Sequence, residues 1–336
     1  MKTWKKAGLT ALAGSLVATS SAFAGAVTVS GAANLTYTGN SGGQDYNAAS
    51  AKEVGTDGNR WGMAKTLTFS GSGELDNGWT VSISQSLNAG NTTGVGLTID
   101  MGDMGSLNYE ADTGGRGVGK INDMMPTADE DVANGIDVDG TGTGGGLSGK
   151  ASGGSKGFHY SKVVSDMVEV GVGYAPKGQA GAGAGGVSGA GAAASAVSGF
   201  IKLDPMDGLE IGYGAGEIAS GTTGQTDDHD TMYVSYVWGN FTVAAQQSNL
   251  DTYGSTTDDE STRWGILYAM NDEISISYQD HVNEDNTATD EEATGVSASY
   301  TSGGMTFKMH RNTADNVSNT TGNESEHTEI GVTFAF

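Results

Sequence analysis

The sequence contains no cysteine and only 3 prolines in 336 residues, and just 17% of its residues are charged. Without cysteine there can be no disulfide scaffold and no thiol nucleophile. Acids outnumber bases 40 to 16, for a formal charge of -24, which excludes a polyanionic partner such as nucleic acid. Beyond the first residues, no stretch approaches the roughly 20 apolar residues that a membrane helix requires. Hydrophobic content is 36%, yet it never gathers into helical stripes. Low hydrophobicity with high net charge would suit a disordered chain, but such chains lack the periodic β-branched and aromatic residues found throughout this one.

At the start, Lys2, Lys5 and Lys6 precede a mild apolar stretch from Ala7 to Ala18, and Ala22-Phe23-Ala24 closes it with small residues at cleavage-site spacing. Residues 1–24 therefore read as a secretory signal peptide and 25–336 as the mature domain. Losing three lysines and no acid takes the formal charge from -24 to -27.

The mature sequence is dominated by a period of two. Thr328, Ile330, Val332, Phe334 and Phe336 share one face, and Glu329, Gly331, Thr333 and Ala335 the other. Val27, Val29, Leu35 and Tyr37 alternate likewise with Thr28, Ser30, Asn34 and Thr36, and Trp79, Val81, Ile83 and Leu87 with Thr80, Ser82, Ser84 and Ser86. The pattern predicts strands at 27–38, 64–74, 79–87, 95–100, 106–111, 157–162, 167–175, 196–203, 209–216, 229–238, 241–247, 261–270, 274–282, 293–301, 305–311 and 327–336. That makes sixteen. Tight connections such as Asp76-Asn77-Gly78 and Gly239-Asn240 alternate with long polar ones at 39–63, 112–156, 176–195 and 312–326. Pro126 and Pro176 fall in long loops and Pro205 in a turn, leaving the ladders their amide hydrogens. Trp79, Trp238, Phe241 and Tyr300 are placed for one interfacial girdle and Trp61 and Trp264 for the other. In hydrocarbon every backbone polar group must be paired, so amphipathic strands of this kind are expected to form an all-β transmembrane antiparallel barrel. Sixteen strands leave an aqueous channel.

The cleavage site running into Val27–Tyr37, the long loop after the fifth strand and the final strand closing on Phe336 resemble the Gram-negative outer-membrane general-diffusion porin family, especially its alphaproteobacterial members. The resemblance covers the whole chain. It implies an outer-membrane homotrimer of sixteen-stranded barrels passing small hydrophilic solutes and ions. It also implies a third extracellular loop folded inward, with acids facing a basic wall, and a terminal aromatic, here Phe336, that the barrel-assembly machinery reads.

The third long loop, 112–156, is the candidate constriction and holds Asp123, Asp129, Glu130, Asp131, Asp137 and Asp139. Pro126 followed by acids could open a short helix. Parity places Lys202, Arg263, Lys308 and His310 on the lumen as the basic wall, with Arg60, Arg116 and Lys120 in or beside loops. The first three strands present Thr, Ser and Asn instead of arginine, and the second loop, Asn88–Gly94, is too short for a long latch onto a neighbouring subunit. The acid excess predicts a preference for cations.

Other chemistry is thin. The five histidines, His159, His229, His281, His310 and His327, are dispersed, and Asp228-His229-Asp230 reads as part of a solvated acidic loop, so no enzyme activity is expected. No cofactor is required. Asp137-Val138-Asp139-Gly140, Asp258-Asp259-Glu260 and Asp290-Glu291-Glu292 offer hard oxygen ligands, so calcium on the extracellular loops is an expectation without a full binding motif. A substrate-specific channel would share the barrel and differ at the constriction. A secreted acidic β-rich adhesin would share the composition but should show a repeat of near-constant length.

Overall fold

The structure, a computed structural model, describes residues 27–42, 60–88, 91–110, 116–136, 157–176, 195–219, 225–254, 258–284 and 289–336, with short paired fragments at 16–17, 46–47 and 52–53. The leader apart from Leu16–Val17, and loop residues Asp137 and Asp139, lie outside them. Sixteen strands form the barrel: β1 Val27–Gly42, β2 Trp61–Glu74, β3 Thr80–Asn88, β4 Asn91–Asp100, β5 Ser106–Glu110, β6 Gly157–Ser165, β7 Val168–Ala175 and β8 Ala196–Met206. The second half comprises β9 Leu209–Ala219, β10 Thr226–Trp238, β11 Phe241–Asp251, β12 Asp258–Ala269, β13 Ile274–Glu284, β14 Glu291–Ser302, β15 Met305–Asp315 and β16 Glu324–Ala335.

Each strand pairs antiparallel with the next, and β16 returns to β1 with a register running from Ser325↔Gly42 to Ala335↔Ala32. Closure leaves no open edge, which is the condition for a sheet in hydrocarbon. Among the described residues no helix is long and apolar enough to cross a membrane, so the strands do the crossing.

The alternation has the physical consequence expected of it. Large apolar side chains point outward and are exposed, Met63, Val172, Val197, Met232 and Trp238 among them. The polar set points inward, and on β6, β8 and β10–β16 much of it is buried, including Gln246, Arg263, Gln279, His310 and Asn312. Buried polar groups of this kind are tolerated only when they are hydrogen-bonded. Their partners come from the segment between β5 and β6.

Two expectations change. Pro205 lies inside β8 instead of a turn. The β8–β9 register shifts between Leu203 and Met206, so the proline sits in an irregularity where it interrupts no ladder bond. Asp228-His229-Asp230 is not loop but β10, paired with Glu217, Gly216 and Ala215 of β9, and its histidine is buried on the lumen side.

Candidate functional site

Residues 116–136 of the third long loop run along the inside of the wall from β6 to β16. At the near end Gly117 N–H donates to His159 Nδ1 of β6 at 3.1 Å and Val118 N–H to Ser198 Oγ of β8 at 3.2 Å. Gln246 of β11 accepts from Met124 N–H at 3.0 Å through Oε1, and its Nε2 donates to the Ile121 carbonyl at 2.8 Å. Gln279 of β13 repeats the arrangement, accepting from Val132 N–H at 2.8 Å and donating to the Pro126 carbonyl at 3.1 Å. Ser277 Oγ accepts from Ala128 N–H, Ser297 Oγ accepts from Asp129 N–H, and Asn312 of β15 donates to the carbonyls of Asp131 and Asn134. The far end lies against His327 of β16, whose ring stands where a side chain at Gly135 would go.

These bonds explain why no α-helix follows Pro126. The amides and carbonyls that a helix would pair with one another are taken by wall side chains, and the only helical turn in the described loop is the 3-10 segment Gly117–Lys120. Apolar loop residues fill two clusters inside the barrel. Val118 and Ile121 pack with Phe200 and Tyr233, and Val132, Ala133 and Ile136 with Ala293, Ala314 and Val317. Lumenal glycines make room: a Cβ at Gly214 would stand 3.0 Å from both Val118 and Ile121, and one at Gly295 only 2.3 Å from Asn312 Oδ1.

The charges are arranged differently from an acidic loop facing a distant basic wall. Lys308 Nζ contacts Asp129 Oδ1 at 2.7 Å, and His310 Nδ1 lies 2.9 Å from Asp129 Oδ2. Arg263, 2% exposed, contacts Asp131 at 3.2 Å and Asp123 at 3.6 Å, and donates to the Asn122 carbonyl at 2.9 Å. Lys202 is held by Glu169 at 3.3 Å and Glu210 at 3.4 Å. Thus the wall cations are spent as loop anchors or paired beside the loop, while Asp123 and Glu130 are the loop acids left exposed. The wall of β1–β5 bears hydroxyls and amides, including Ser30, Asn34, Thr66, Thr68, Ser84 and Thr98, some bonded to each other, as in Thr68–Ser86 at 2.8 Å and Thr98–Asn108 at 2.6 Å.

Burial alone would raise the Asp129 carboxyl, but the hydrogen bonds from His310 and Lys308 outweigh it and hold the group below its ordinary value. Burial, reinforced by the like charge of Asp123, pushes Asp131 up to about 7 against the pull of Arg263. Above that pH the Asp123–Arg263–Asp131 group carries a net negative charge, and below it the group approaches neutrality. Cation preference should therefore fall in a step as pH drops through about 7, and the step should be missing in Asp131→Asn. Zero-current potentials recorded between about pH 8.5 and 5.5 read this directly, and an identical step in the variant would contradict it.

At the seam, Phe336 N–H donates to the Gly31 carbonyl at 2.9 Å and Gly31 N–H to the Phe336 carbonyl at 2.7 Å, with the Phe336 ring over Gly31 beside Leu67.

The profile of the Gram-negative porin family matches residues 8–279. The chain belongs to the Gram-negative porin family. A porin refined at 1.8 Å is similar in structure at 14% identity and a TM-score of 0.63, over 92% of this chain and 100% of that one. An anion-selective porin from Comamonas acidovorans matches at 13% and 0.61, over 92% and 99%. The trimer form of the outer-membrane protein OmpT of Vibrio cholerae matches at 11% and 0.62, over 93% and 100%. A comparison with curated protein sequences finds no match. The porin is a non-enzymatic outer-membrane channel, and a closed barrel replaces the adhesin alternative.

Sequence reasoning found the charged residues of the site but not its amides. Gln246 and Gln279 lie in strands expected from alternation and Asn312 in a segment expected to be loop, 312–326, and the available signal was the recurrence of Val118, Ile121, Met125, Val132 and Ile136 within an otherwise polar loop. Among the described residues no group of three His, Cys, Asp or Glu is placed to hold a metal ion, and Asp137–Gly140 lies outside them.

Proposed function

We propose that this porin is a homotrimeric, cation-preferring general-diffusion channel in which residues 116–136 form the constriction. The observation that carries the reading is an acid excess at the anchors: Arg263 is shared between Asp131 and Asp123, Lys308 and His310 contact Asp129, and Asp123 and Glu130 are the exposed loop acids. A water column between those acids and the hydroxyl wall of β1–β5 favours cations, because low-dielectric walls focus the field of the excess negative charge. Hydroxyls and amides on that wall replace part of a solute's hydration without selecting one solute, which suits small hydrophilic molecules in general. In this reading residues 1–24 are removed on export, Phe336 is the end recognised by the barrel-assembly machinery, and the outward apolar face meets outer-membrane lipid.

Reconstitution tests the general-diffusion part. Planar bilayers should show stepwise conductance, and liposome swelling should slow smoothly with solute size. Saturable blockade of the current by one solute class would contradict general diffusion and support a substrate-specific channel.

A further inference from the structure

All five histidines of the chain are on the lumen wall, each no more than 5% exposed, and one of them holds the loop in a protonation state that chemistry fixes. A backbone N–H can only donate, so the Gly117–His159 bond at 3.1 Å requires Nδ1 of His159 to be an unprotonated acceptor. Adding a proton to that nitrogen places donor against donor. Protonation of His159 and seating of the loop at Gly117 therefore compete for one lone pair.

We infer that His159 is an acid-released latch for the near end of the third loop. The inference rests on the reading of residues 116–136 as the constriction, because only then does release change the pore. The latch holds a small unit: the 3-10 turn Gly117–Lys120, with Val118 and Ile121 fully buried behind it. Val118 N–H on Ser198 is the adjoining anchor, and it carries no titratable group.

One face of the ring is covered by an aromatic side chain. Phe200 of β8 stacks on the ring with centroids 6.0 Å apart. Asn108 of β5 and Gly173 of β7 are its register partners. Among the described residues, the charged groups on the elements packed against it are Arg116, 1% exposed, and Lys120 of the loop, Glu110 of β5, Glu169 of β7, and Lys202 and Asp204 of β8, with Lys162 on β6 itself; Glu169 and Lys202 pair with each other. A cationic imidazole would join the buried guanidinium of the same loop end. The far end does not depend on the Gly117–His159 bond, since Lys308 holds the Asp129 carboxylate at 2.7 Å and Ser297 Oγ accepts from its backbone N–H. Acid thus frees 116–121 while the segment around Asp129 stays seated. The result is a hinged loop in place of one lost as a whole.

The test uses the full oligomer in detergent and in planar bilayers between about pH 7.5 and 5.5, where an imidazole titrates and ordinary exposed carboxylates stay charged. Amide hydrogen exchange over residues 117–121, corrected for its intrinsic pH dependence, reads the latch, and single-channel conductance reads the pore. In the wild type, acidification should raise exchange at 117–121 and change conductance in parallel. His159→Gln keeps an acceptor that does not titrate, so its exchange should stay flat. His159→Leu has no acceptor and should show the acid behaviour already at neutral pH. Asp131 also titrates in this window but is intact in both variants, so a conductance response to pH that remains in His159→Gln is its contribution. Acid-induced exchange at 117–121 retained in His159→Gln overturns the latch, as does wild-type protection in His159→Leu. Exchange that follows His159 while conductance does not move upholds the latch and removes the constriction reading. Should His159→Leu fail to assemble, the glutamine variant alone decides.

Discussion

Replacing Arg263 with methionine is expected to raise the single-channel conductance and make it noisy, with the barrel itself still assembled. The guanidinium is almost wholly buried and joins three loop groups, the carboxylates of Asp123 and Asp131 and the carbonyl of Asn122, to β12. Methionine approximates the stem but leaves two carboxylates close together with no cation between them. Breaking a buried pair by removing one partner costs about 3–5 kcal/mol. The sixteen-strand ladder does not depend on this contact, so the cost falls on loop seating. Lysine at 263 should rescue only partly, because a point charge cannot bridge two carboxylates and a carbonyl as a planar fork does. Single-channel recording on the three proteins checks this, and a methionine variant with wild-type conductance and noise would rule out Arg263 as the central anchor.

The second large effect is expected at Gly31. A Cβ there would lie 2.6 Å from the Phe336 ring and 2.9 Å from Leu67, so Gly31→Val must push the terminal ring off its seat. The two backbone bonds between Gly31 and Phe336 join β1 to the end of β16 at the closing seam. A sharp fall in heat-modifiable, assembled protein should follow, and deleting Phe336 should do the same with little effect on the pores that do form. Phe336→Tyr keeps the ring and the bonds and should assemble normally. Wild-type yield from Gly31→Val, read on unheated gels, would show that the terminal ring does not need this seat.

Most of the barrel was legible because each strand has oil on one side and water on the other, and a two-residue period records both. All sixteen strands lie where alternation placed them. Their outer ends were read short: β10 begins at Thr226 and β12 at Asp258, where Thr226-Asp227-Asp228 and Asp258-Asp259-Glu260 carry no apolar signal because strands beyond the hydrocarbon need none. The site was half legible. Parity put Lys202, Arg263, Lys308 and His310 on the lumen, but parity says nothing of which loop atom each one meets. The acids therefore looked equivalent, whereas Asp129 and Asp131 are bound to the wall away from water, Asp123 shares Arg263 while staying exposed, and Glu130 is exposed. His159 showed no sequence sign at all, since its role depends on a backbone N–H forty-two residues earlier.

The central claim, that the loop presents a net acidic edge to the water column, is tested most directly by the zero-current potential across a potassium chloride gradient. Measurements on the wild type and on Asp123→Asn with Glu130→Gln suffice. At physiological ionic strength the Debye length is about 8 Å, so only charges near the ion path should register, and the effect should shrink as salt rises. The account predicts a cation-preferring wild type and a double variant shifted most of the way to the value of a non-selective pore. An anion-preferring wild type, or a double variant with unchanged potential, would contradict it.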